Sequence, residues 1–250
     1  IMLSGLSRTR PYLKELLDDF GVGVAHIRSA EYKTFGNIFS ETGMPAEERE
    51  AIEALLEDQY GVLLRMIESG RGDRLTGSAE AVVADGPYLV AERALETGLV
   101  DGLIYADELE SRLEELQRGA RIAEVSARDQ IRYEWSRRPA PRVAVIYATG
   151  NIIRGEGQPG RVIGSETMAA AIREARESGG IDGIIVRVSS GGGSALGSAV
   201  IAREIELTTS GEDPKPVVIS MADSAASGGY YISAPADRIV AHPVTVTGSI

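Results

Sequence analysis

Residues 217–233 read Val217-Val218-Ile219-Ser220-Met221-Ala222-Asp223-Ser224-Ala225-Ala226-Ser227-Gly228-Gly229-Tyr230-Tyr231-Ile232-Ser233. An apolar, β-branched run gives way, through a join of small residues, to a segment with helical character. Strands of a parallel sheet read as continuous apolar runs because helices cover both their faces, and each strand hands over to a helix. The same unit stands just upstream. Ile181 to Val188 predicts a buried strand, Ser189-Ser190-Gly191-Gly192-Gly193-Ser194 the turn, and about Ala195 to Leu207 the helix. Val143 to Tyr147 and Arg238 to Ala241 predict further strands, Ser165 to Glu177 a capped helix, and Gly229 to Ala234 the helix after the quoted strand. Strands alternating with helices of about 10 to 15 residues pair in parallel through right-handed crossovers. Residues 142–250 therefore read as an α/β segment.

Further out the pattern changes. Tyr12 to Phe20 predicts a short helix ended by Gly21, and Val22 to Arg28 a strand. Pro45, with Glu47 and Glu48 beside the positive helix end, opens a long helix through Ile52, Leu55, Leu56, Tyr60, Leu63, Leu64 and Ile67, which Gly70 closes. Tyr88 to Glu96 and Glu108 to Gly119 predict two more helices. Residues 121–141 are polar and aperiodic and include Arg137-Arg138-Pro139-Ala140-Pro141, which is how a connection between domains reads. The expected organisation is 1–120, a linker over 121–141, and 142–250.

The chain has 250 residues, 43% apolar and 25% charged, the composition of an ordinary globular protein. Its 37 acidic against 26 basic residues give a formal charge of -11, which repels phosphate backbones and argues against nucleic acid as a partner. With no cysteine there is no thiol catalysis, disulfide or cysteine zinc site, and either redox compartment is compatible. Two histidines, His26 and His242, are too few for a multi-histidine metal site. No apolar run reaches about 18 residues. The first and last residues read like the middle of elements, as in a fragment of something longer.

In open parallel sheets, ligands sit at the carboxyl ends of strands, where turns lead into helices. Two turns qualify. The glycines of Gly191-Gly192-Gly193 let backbone N–H groups approach a ligand, making an anion or oxyanion cradle, although an isolated triple glycine is more often a plain connection. The spacing does not fit a dinucleotide fingerprint. In the second turn, Ser227 stands near a helix start, where a hydroxyl most often serves as an N-cap. Ala-Ala before it and Gly-Gly after it ask instead for something to approach the backbone closely. A nucleophilic serine needs a base. His242 has no acidic neighbour to orient it, and a lysine serves if burial lowers its pKa from about 10.4. Of Lys14, Lys33 and Lys215, the first sits among Glu15, Asp18 and Asp19 and the last between prolines. Lys33, flanked by aromatics after the expected strand, is the best candidate.

The segment from Val217 through Ser233 to Thr245-Val246-Thr247-Gly248-Ser249-Ile250 closely resembles the bacterial signal peptide peptidase A (protease IV) family of Ser-Lys peptidases. Arg187-Val188-Ser189-Ser190-Gly191-Gly192-Gly193-Ser194, Tyr32-Lys33-Thr34 and Ala94-Leu95-Glu96-Thr97-Gly98-Leu99-Val100-Asp101 resemble further family motifs. Lysine before serine is the order of the tandem-repeat members. The resemblance implies a crotonase/Clp-like α/β fold of repeats with a parallel sheet, residues 1–120 being the end of one repeat and 142–250 the start of the next. It implies Ser227 as nucleophile, Lys33 as general base, Gly193 and Gly228 as oxyanion-hole donors and Ser249 as the residue orienting the lysine, with no cofactor. It further implies signal peptides as substrates, a homo-oligomer (a tetramer in the family), and an inner-membrane location with the catalytic body on the periplasmic side, anchored by a segment outside this chain. Ser189 and Gly191 replace the family's Asn and Pro, and Phe35-Gly36 departs from its lysine motif. Two other readings fit the same architecture: a crotonase-like acyl-CoA hydratase or isomerase, and an inactive scaffold homologue.

Overall fold

The computed structural model describes residues 1–119 and 140–249. Most of the expected linker, 121–139, lies outside the described residues. The described residues form two compact units, one on each side of that segment.

The regular elements of the upstream unit are helices: α1 (Lys14–Asp19), α2 (Asn37–Ser40), α3 (Ala46–Arg71), α4 (Ala79–Ala84), α5 (Ala91–Glu96) and α6 (Leu109–Leu116). Ser78 caps α4, its side chain accepting from the Ala81 N–H at 3.2 Å. Val82, Tyr88 and Ala94 make a small core with Leu3, Leu75, Leu99 and Val100, and the buried Tyr88 hydroxyl donates to the Val82 carbonyl at 2.6 Å. The strand expected over Val22 to Arg28 does not form. An extended segment becomes a strand only when a neighbour takes its N–H and C=O groups. Among the described residues this unit has no strand to pair with, and Ile27 is 96% exposed. The helices expected over Tyr88 to Glu96 and Glu108 to Gly119 are shorter, running over α5 and α6.

The downstream unit has the parallel α/β architecture expected of it. Its strands are β1 (Val143–Thr149), β2 (Asn151–Ile153), β3 (Val162–Gly164), β4 (Gly183–Ser190), β5 (Val217–Ala226), β6 (Arg238–Val240) and β7 (Val246–Gly248), with helices α7 (Ser165–Glu177), α8 (Ala195–Ser210) and α9 (Gly228–Ser233). The main sheet has the order β1-β4-β5-β6, all parallel, in a register that sets Val145 beside Ile185 and Val186 beside Ile219. Alternate residues of β4, Ile184, Val186 and Val188, are buried, as a strand period of two dictates. On α7 the buried Met168, Ile172 and Ala175 repeat every three to four residues and face that layer together with Ile201 and Ile205 of α8. Each isoleucine so buried stabilises the unit by about 1.5–3 kcal/mol. Lys215 Nζ donates to the carbonyl oxygens of Ala175 and Ser178, satisfying the C-terminal end of α7.

Strand β5 changes partner along its length. Its first half pairs with β6, Val218 to Ser220 against Arg238 to Val240. Its last three residues pair with β7, Ser224 to Ala226 against Val246 to Gly248. The carboxyl end of β5 is thus gripped on both sides, since Ala225 also stands beside Ser190 at the end of β4.

Candidate active site

Ser227 alone makes the passage from strand to helix. Strand β5 ends at Ala226 and α9 begins at Gly228, so a single residue absorbs the change of direction, with φ 51° and ψ -119°. A positive φ is uncommon for a residue with a Cβ, and this ψ lies far from the left-handed α basin. Conformations of this kind persist only where the surroundings impose them. Here the Ser227 N–H donates to the Gly248 carbonyl at 2.7 Å, which extends the β5–β7 ladder to the elbow itself. The side chain is half-buried, at the carboxyl end of the sheet. It does not cap the helix.

The glycine turn after β4 is laid against this elbow. A Cβ on Gly192 (φ +102°) would stand 2.7 Å from the Gly228 nitrogen and 2.8 Å from Ser227 Cβ, and one on Gly228 would stand 2.5 Å from Ser198 Oγ. Ser190 holds the turn from behind. Its hydroxyl donates to the Gly150 carbonyl at 2.7 Å and accepts from the Gly192 N–H at 3.1 Å. Gly193 forms a parallel bridge with Ile152 of β2, in which Ile152 N–H donates to the Gly192 carbonyl and Ser194 N–H to the Ile152 carbonyl, each at 2.8 Å. In a parallel bridge the central residue's own N–H points away from its partner strand. The Gly193 N–H is therefore aimed off β2, on the exposed side of the turn. The Gly228 N–H, first in α9, is one of the donors a helix leaves without an internal acceptor. Two backbone donors of this kind beside a strained hydroxyl are the components that stabilise an oxyanion.

Ser249 directly follows the Gly248 carbonyl that holds Ser227 and is itself at positive φ, 58°. His242 is exposed, its Nδ1 accepting from the Val244 N–H at 3.3 Å, and takes no part in this arrangement. Lys14 pairs with Asp18.

Lys33 belongs to the upstream unit. It does not follow a strand but sits half-buried in a turn, its N–H donating to the Ala30 carbonyl at 3.1 Å. Tyr32 beside it donates to Glu50 at 2.9 Å, and that bond to an anion holds the phenol above its usual pKa. The unfamiliar Gly36 has a steric reason. A Cβ there would stand 2.4 Å from the His26 ring.

Two stretches, residues 1–120 and 210–250, match the model of peptidase family S49. The chain belongs to peptidase family S49. The matched stretches of this S49 chain take in Lys33, Ser227, Gly228 and Ser249 and leave out Gly193. The chain is 37% identical over 259 residues to "Protease 4" of Salmonella typhi, covering 99% of this chain and 41% of that protein. It is 31% identical over 258 residues to "Serine protease SPPA, chloroplastic" of Arabidopsis thaliana, covering 99% and 37%. It thus spans about two fifths of the length of these curated relatives. Among solved structures, a mutant of the "1510-N membrane-bound stomatin-specific protease" aligns over 41% of this chain and 44% of its own, at 23% identity and a TM-score of 0.32.

Several parts of the site were not legible in the sequence. Nothing marked β2 as a strand, and Ile152, the residue against which Gly193 and Gly228 pack, was not singled out. Its signal was an apolar pair, Ile152-Ile153, directly after Gly150. Gly192, rather than Gly191, makes the close approach, a distinction that the triple glycine itself hides.

Proposed function

We propose that this S49 chain carries the catalytic pair of a serine endopeptidase, with Ser227 as nucleophile and Lys33 as general base. Neutral Lys33 takes the Ser227 proton as Oγ attacks a peptide carbonyl. The Gly193 and Gly228 N–H groups hold the tetrahedral oxyanion. The lysine returns the proton to the leaving amine, and water then resolves the acyl-enzyme by the same route. Ser249 orients the lysine amine.

The observation that carries this reading is the backbone of Ser227, a non-glycine residue held at φ 51° and ψ -119° between the glycine turn and β7. A structural N-cap needs no such strain. Family membership supports the proteolytic class, and matched stretches containing both Lys33 and Ser227 support the pairing.

The substrates are cleaved signal peptides and similar hydrophobic peptides. In support, an apolar recess of about 340 Å³, lined by Val145, Tyr147, Ile163, Met168 and Thr149, flanks the carboxyl end of β1. A wider recess lined by Arg176, Asp182 and Lys215 is polar and adjoins the amino ends of β4 and β5, away from the turns. The assembly is a homo-oligomer at the bacterial inner membrane with its catalytic body on the extracytoplasmic side. Its membrane attachment is a segment outside this chain; among the described residues no helix is long and apolar enough to cross a membrane.

A fluorophosphonate probe applied to the full-length protein tests the pair. Labelling is expected on Ser227, lost in Ser227→Ala and strongly reduced in Lys33→Ala. Labelling that survives Lys33→Ala with an unchanged pH profile removes Lys33 as the base.

A further inference from the structure

The upstream unit buries an ion cluster that the chemistry above does not use. Glu48, in the first turn of α3, is 1% exposed, as is Asn37 at the start of α2. Arg10 Nη1 lies 2.6 Å from Glu48 Oε1, and Asn37 Nδ2 donates to Glu48 Oε2 at 2.8 Å. A buried ion pair stabilises a fold little better than an apolar pair of the same size, so its geometry is the informative part. The other arm of Arg10 supplies that geometry. Arg10 Nη2 donates to the carbonyl oxygens of Thr34 at 2.8 Å and Phe35 at 3.0 Å, the two residues directly after Lys33. The Thr34 carbonyl also accepts from the Asn37 N–H at 3.1 Å.

We propose that Arg10 is a positioning residue for the Lys33 amine, fixing the lysine's backbone through the Thr34 and Phe35 carbonyls while Glu48, itself held by Asn37, fixes the guanidinium. The inference rests on the reading of Lys33 as the base. A lysine amine stands at the end of four rotatable carbons, and a general base must come within hydrogen-bond reach of the proton it takes. Since a misplacement of about 1 Å costs on the order of 100-fold in rate, the anchor of that arm has to be rigid. Glu48 takes one arm of a planar, forked donor while the other arm, Nη2, bridges both carbonyls, an arrangement that the single ammonium of a lysine does not reproduce. From the other side, the His26 ring lies against Gly36, 2.4 Å from where a Cβ would stand. The lysine turn is thus clamped through its backbone by residues more than twenty positions away in sequence for Arg10.

The test measures peptide hydrolysis, fluorophosphonate labelling of Ser227 and thermal unfolding on the full-length protein. The double variant Arg10→Met/Glu48→Met replaces the ion pair by apolar groups and leaves no unpaired buried charge. It takes the acceptor from the buried Asn37 Nδ2 and is expected to unfold somewhat below the wild-type temperature but to stay folded and keep its KM, while kcat and the labelling rate fall by about 10- to 100-fold. Arg10→Lys keeps a partner for Glu48 and is expected to lose less, about 3- to 10-fold, as one donor replaces the fork. A folded double variant, or a folded Arg10→Lys, with wild-type kcat overturns the proposal. Lys33→Ala, run in parallel, separates the two claims. Wild-type labelling in Lys33→Ala defeats the base assignment and the positioning role with it, whereas an inactive Lys33→Ala beside a fully active double variant defeats the positioning role alone.

Discussion

The strain at Ser227 can be weighed by comparing two substitutions that remove the same hydroxyl. Alanine keeps a Cβ at φ 51° and ψ -119°, and glycine does not. Holding a non-glycine residue in such a region costs about 1–3 kcal/mol. Glycine gives back about 0.5–1 kcal/mol because the unfolded chain gains freedom. Ser227→Gly should therefore be more stable than Ser227→Ala by about 1 kcal/mol. In a unit of this size that corresponds to roughly 3–5 °C in Tm. Neither variant should label with a fluorophosphonate, so the difference cannot come from catalysis. Paired thermal melts at equal concentration check it. If Ser227→Ala melts at or above Ser227→Gly, the residue is not strained, and the inference from its backbone to a nucleophilic role fails.

Gly192→Ala places a Cβ 2.7 Å from the Gly228 nitrogen and should push that donor out of line, lowering kcat by about 100- to 1,000-fold, as loss of one oxyanion donor does. Wild-type turnover in a peptide assay on the full-length protein would contradict the assigned geometry. Ile152, 2% exposed and packed behind Gly193 and Gly228, should cost about 2–5 kcal/mol on change to alanine, read by denaturant unfolding, and should lower labelling of Ser227 as well. In the upstream unit, hydrogen bonding to Arg71 holds the Asp101 carboxyl below its usual pKa. Its contribution to stability is thus fully present above the ordinary aspartate pKa of about 4 and is lost as pH falls through the depressed folded value. Asp101→Asn should shrink the acid-side loss of stability. An unchanged acid limb in Tm against pH would show that the pair contributes nothing.

What the sequence determined by itself was local. The β-branched runs at Ile184 to Val188 and Val217 to Met221 specified buried strands, and the spacing of Met168, Ile172 and Ala175 specified one helix face. The small residues around Ser227 announced a close approach, because each signal lies within a few positions of the residue it describes. Tertiary structure decided what depended on distant partners. Val22 to Arg28 had the composition of a strand, but among the described residues of its unit there is no strand for it to pair with. Strand β2 exists because Asn151 to Ile153 pair with β3, and it becomes the backing of the glycine turn because Ile152 meets Gly193, some forty residues later. Ser227 is held by Gly248, which takes its N–H, and lies against Gly192, where a Cβ would collide with its own. Arg10 finds the lysine turn only after folding. Hydrogen-bond acceptors and steric limits of this kind are set by which chain segments come together, and no local pattern of side chains encodes that.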